Sequence, residues 1–127
     1  MSLILTTTDE KDYLIAEVTG IYNFNEAKKI FKDVMDICNK FNKTKLLIDI
    51  RQLQGTISFF DRFNLANLFQ DYIDRYVKMV IVVDKNPSYK QKIFETVAIN
   101  RGIFIKIVNE IEDAYHFLAD INLRAAD

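Results

Sequence analysis

Apolar and β-branched residues fill two short stretches near the start, about 3–7 and 13–19, and the polar run Asp9-Glu10-Lys11-Asp12 separates them. That alternation of strand-prone and turn-prone segments predicts an antiparallel hairpin, with Gly20 ending its second strand. From Asn23 the period changes. Ala27, Ile30, Phe31, Val34, Cys38 and Phe41 recur at helical spacing and predict an amphipathic helix. Asn23 is placed to cap it, with Glu26 three residues on where a capping box puts its acid. Residues 45–50 and 77–83 are almost continuously apolar, as suits strands covered on both faces in a parallel sheet.

Between those strands, Ser58 and Asp61 read as the start of a second helix running to about residue 75, with Phe63, Ala66, Phe69 and Ile73 along one face. A third helix follows Asn86-Pro87-Ser88, buries Ile93, Phe94, Val97 and Ala98, and stops at Gly102, a natural residue just past a helix end. Residues 103–108 form the last strand. The final helix begins near Asn109 and buries Ile111, Ala114, Phe117, Leu118 and Ile121. The order ββαβαβαβα predicts an α/β fold with a mainly parallel sheet of about five strands.

Composition narrows the function. The 127 residues are 50% apolar and 28% charged, with a formal net charge of −1, so they read as one globular domain over 1–127. Basic and acidic residues are interspersed, which argues against nucleic-acid binding. No apolar run approaches a membrane span and the first residues lack a signal pattern, so membrane insertion and secretion are disfavoured. Cys38 is the single cysteine, which excludes an intramolecular disulfide and fits a reducing cytoplasm.

No catalytic constellation, cofactor motif or metal-ligand pattern stands out. Asp49 and Asp84 fall at the carboxyl ends of two strands, where paired acids can hold Mg²⁺ and where aspartates also bond loops and turns. His116 points away from its helix's apolar stripe, and Cys38 lies on one. The region 52–60 is more informative, because it carries Ser58 to a helix start, where a hydroxyl caps the helix and where a phosphate would meet the helix dipole. Phe60 stands opposite Phe69 on that helix and Leu68 lies on a flank, which marks the second helix as a candidate partner surface.

Leu46-Leu47-Ile48-Asp49-Ile50, then a loop and a helix, Val80-Ile81-Val82-Val83-Asp84, and the closing Glu112-Asp113-Ala114-Tyr115-His116-Phe117-Leu118 together resemble the SpoIIAA-like, or STAS-like, family of small α/β domains. In the anti-sigma-factor antagonists of that family, a strand ending in an acid is followed by Asp-Ser-Ser-Gly, whose first serine is phosphorylated at a helix start. The matching serine here is Ser58, preceded by Ile57 and followed by Phe59 and Phe60, so the motif is not kept. The resemblance implies a non-enzymatic regulatory or protein-interaction domain whose candidate residues are Ser58, Phe59, Phe60, Asp49 and Leu68. Related folds that enclose apolar ligands make a carrier or sensor of a small, lipid-like molecule the alternative. Both faces of the predicted sheet carry apolar side chains, while sequential right-handed crossovers put the helices on one side. A helix wrapped around the edge or a second copy would cover the other face, and a homodimer meeting through it is the expectation.

Overall fold

The computed structural model describes residues 3–72, 77–85, 88–100 and 102–119. Strands β1 (Leu3–Asp9) and β2 (Leu14–Ile21) form the antiparallel hairpin. They are followed by α1 (Phe24–Lys40), β3 (Lys45–Asp49), β4 (Leu53–Gln54), α2 (Phe59–Tyr72), β5 (Lys78–Val82), α3 (Tyr89–Asn100), β6 (Phe104–Val108) and α4 (Ile111–Ala119). The sheet runs β1-β2-β3-β5-β6, and the pairings after the hairpin are parallel.

Two local features differ from expectation. The two-residue β4 was not foreseen, and Gly20 does not end β2 but lies within it at φ 107, paired to Leu3 on one side and Leu53 on the other. At this left-handed position, open to glycine at little steric cost, β2 leaves β3 and takes up β4.

The helices end where their sequences provide caps. Asn23 Oδ1 accepts the Glu26 N–H at 3.1 Å at the start of α1, and Glu26 Oε1 accepts the Leu3 N–H at 3.3 Å, tying the helix to the edge strand. Both α1 and α3 close in the same way. The Lys43 N–H bonds the Cys38 carbonyl at 2.8 Å with Asn42 at φ 56, and the Ile103 N–H bonds the Ala98 carbonyl at 3.0 Å with Gly102 at φ 84. A left-handed residue here turns the chain back while satisfying carbonyls that the helix leaves open.

Because successive parallel strands are neighbours, α1, α2 and α3 lie over one face. Phe31, Val34, Met35 and Cys38 of α1, Ala66 of α2, and Phe94 and Ala98 of α3 join Leu14, Ala16, Leu46, Met79, Ile105 and Ile107 in the larger core. Leu47, Val80, Val82 and Val108 face the other way, where Ala114 and Leu118 of α4 cover them. The final helix, and not the second copy favoured from the sequence, is therefore the shield of the second face, because α4 folds back over the central strands and leaves them buried within one chain. Lys78, also buried, lies 4.6 Å from the Phe117 ring centroid and 5.4 Å from that of Phe104. The β6 edge is tied to α3 by Glu95, whose Oε2 accepts the Ile107 N–H at 2.8 Å. Ile73 and Ile121, expected on buried helix faces, lie outside the described residues, as does the side chain of Phe69.

Candidate functional site

The packing between the sheet and α1–α3 is incomplete. A cavity of about 150 Å³ opens there, walled by Ala16 and Val18 of β2, Ala27 and Ile30 of α1, Ile48 of β3 and Ile81 of β5. Two of these, one on the strand and one on the helix, are alanines, and their small side chains leave space unfilled. Ile50, Leu53 and Ile57, beyond β3, complete the wall at the carboxyl edge of the parallel strands. Open α/β sheets take their ligands at that edge.

Polar side chains reach the cavity from the starts of the helices: Tyr22 just before α1, Arg62 in the first turn of α2, and Gln91 in the first turn of α3. Tyr22 donates its hydroxyl to Asp61 Oδ2 at 2.8 Å. Burial first, and then this bond to a carboxylate, push the phenol well above its ordinary range, so it stays neutral. Gln91 completes a capping box: its Oε1 accepts the Ser88 N–H at 2.8 Å while Ser88 Oγ accepts the Gln91 N–H at 3.2 Å. Arg62 is half-buried, and burial lowers its pKa below the ordinary guanidinium value. Its guanidinium makes no hydrogen bond or ion pair with the described residues.

Ser58 sits immediately before α2 as its cap. Its Oγ accepts the Asp61 N–H at 3.0 Å and its carbonyl accepts the Arg62 N–H at 3.0 Å. The Asp61 carboxylate is given to Tyr22 instead of reaching back to Ser58, so the cap is half of a capping box. Phe60, in the first turn, is 71% exposed. The side chain of Phe59 lies outside the described residues.

The remaining candidates do not join that surface. Leu68, expected on an exposed flank, packs against the larger core, because the helices on either side of α2 close over its flanks. Asp49 is also separate. It alternates with Leu46 and Ile48 and so faces the α4 side, buried, where Arg51 Nη2 donates to its Oδ2 at 2.8 Å and Arg51 Nε to its Oδ1 at 3.0 Å. The Arg51 backbone N–H adds a third bond at 3.0 Å. Burial alone would raise the Asp49 pKa; the bonds from Arg51 and its charge outweigh that and lower it. Asp84 and His116 are exposed, and Cys38 is buried. Among the described residues, no three His, Cys, Asp or Glu converge, and no helix is long and apolar enough to cross a membrane.

Sequence reasoning missed Tyr22, Arg62 and Gln91. Each reads as an ordinary polar residue near a helix start, and their convergence depends on contacts between segments far apart in the chain.

Compared by sequence, no family model and no curated protein matches the chain. Compared by structure, it is similar to an anti-sigma factor antagonist from Mycobacterium paratuberculosis, at 14% identity and a TM-score of 0.63 over 94% of this chain and 96% of that one. It is also similar to the protein TM1081, solved by NMR, at 17% identity and a TM-score of 0.59 over 92% of this chain and 90% of that one. The α/β architecture is thus the SpoIIAA-like, or STAS-like, fold.

Proposed function

We propose that the chain, with the fold of an anti-sigma factor antagonist, is a single non-enzymatic regulatory domain, working in the cytoplasm, that acts by binding a protein partner at the start of α2. The observation that carries this reading is Phe60: a large apolar side chain, 71% exposed, held on a capped helix start at the carboxyl edge of the sheet. An exposed aromatic on a rigid element is the kind of anchor that buries well in a partner pocket. Ser58 beside it is the candidate switch. A phosphate there would still offer acceptor oxygens to the Asp61 N–H and the helix start, while placing its charge near the Asp61 carboxylate. The experiment compares tagged wild type with Phe60→Asp for partners retained from the source cells, alongside melting curves. A partner kept by the wild type and lost by an equally stable Phe60→Asp is expected; identical partners for both would overturn the assignment. A second copy of the chain is the alternative partner, and sedimentation over a range of concentrations distinguishes it.

The cavity favours a second reading, a carrier or sensor of a small apolar ligand. Its volume of about 150 Å³ and almost wholly hydrocarbon wall match a space that stays dry when empty and accepts a benzene-sized molecule. Native mass spectrometry of gently purified protein tests this by revealing a retained small molecule.

A further inference from the structure

The second reading leaves the chemistry of the ligand open, and the polar residues at the cavity narrow it. Of Tyr22, Arg62 and Gln91, the first spends its hydroxyl on Asp61 and the third uses its side-chain oxygen on Ser88. Arg62 alone has no hydrogen bond or ion pair for its guanidinium among the described residues, although it is half-buried and lines an apolar cavity. A guanidinium carries five N–H donors and stays protonated near neutral pH. Burying a cation without an acceptor costs stability that a bound anion would restore. The nearby acid, Asp61, is held by the Tyr22 hydroxyl and forms no ion pair with Arg62. The cavity also lies against the first turns of α1, α2 and α3, whose dipoles favour negative charge.

We propose that the cavity binds an apolar monoanion, a benzene-sized ring or short hydrocarbon chain carrying one carboxylate, with the hydrocarbon against Ala16, Ile48 and Ile81 and the carboxylate on Arg62. This rests on the carrier or sensor reading and assigns its ligand class. Tyr22 and Gln91, the other polar side chains lining the cavity, are neutral and tolerate the head group, while the rest of the lining is apolar and offers nothing to a second charge.

Methyl NMR of the ¹³C-labelled chain, titrated with octanoate and separately with 1-octanol, tests both levels. Shifts at Ile48 and Ile81 with octanoate are expected in the wild type. Arg62→Gln should weaken octanoate roughly tenfold or more and leave 1-octanol within about twofold. Ala16→Leu fills the cavity and should abolish binding of both probes, with Ala16→Val as the milder variant should the larger side chain disturb folding. Octanoate binding that is unchanged in Arg62→Gln overturns the head-group assignment while the carrier reading stands. Ile48 and Ile81 methyls that do not respond to either probe at millimolar concentration overturn both, and so does undiminished binding in the filled variants.

Discussion

Ser58 spends its hydroxyl on a backbone N–H at the start of α2, so its removal has a defined cost. Ser58→Ala should lose about 1 kcal/mol in denaturant unfolding and Ser58→Gly only a few tenths. Equal stability of alanine variant and wild type would show that α2 does not depend on this cap. Asp49 offers a prediction of another kind, because its acidity is linked to folding. Its folded pKa is lowered, so its contribution is present above the unfolded aspartate value of about 4 and fades as pH falls through the lower folded value. Asp49→Asn should therefore destabilise the chain by ~1 kcal/mol at neutral pH, and the gap to wild type should shrink below about pH 4. Melting curves across pH 2–7 measure this, and a gap that widens toward acid would contradict the sign. The same curves with added Mg²⁺ should not move, since Arg51 already occupies both carboxylate oxygens of Asp49.

Among the elements, α4 has the most distinct task. Its Leu118 is buried against Leu47, Val80, Val82 and Val108, apolar residues of the sheet face that α1–α3 do not reach. Leu118→Ala should cost about 2–5 kcal/mol, the range for emptying a leucine-sized space in a core, and is read by urea unfolding. A loss below about 1 kcal/mol would mean that α4 only rests on the sheet. The helix ends are built more locally. Gly102, at φ 84, turns the chain from α3 into β6. Gly102→Ala is expected to lose about 1 kcal/mol although nothing lies within 4 Å of an added Cβ, because the penalty comes from the backbone conformation and not from crowding.

For the whole molecule, the cover supplied by α4 decides what surface remains sticky. Leu118→Asp should pry that cover away and produce a species whose sedimentation rises with concentration more steeply than the wild type's, since an exposed apolar sheet face associates. If Leu118→Asp sediments like the wild type, the second face is not what α4 protects. Elsewhere the edge strand β1 leaves Ile4 62% exposed, a place where a second copy could still dock. Residue order alone carried the succession of helices and of every strand but β4, the caps at Asn23 and Ser58, the stop at Gly102 and the two-sided burial of the central strands. Each depends on spacing or on a side chain bonding its own backbone within a few residues, and such relations are visible in one dimension. The packing of distant segments decided that α4 covers the second face, that Leu68 leans on the larger core, and that Asp49 pairs with Arg51 on the side opposite α2. It alone decided that Ala16, Ala27 and Arg62 line one unfilled space. A cavity is a property of volumes contributed by several elements, and the lack of a hydrogen bond or ion pair to Arg62 among the described residues is a property of several segments at once, so neither leaves a trace in residue order.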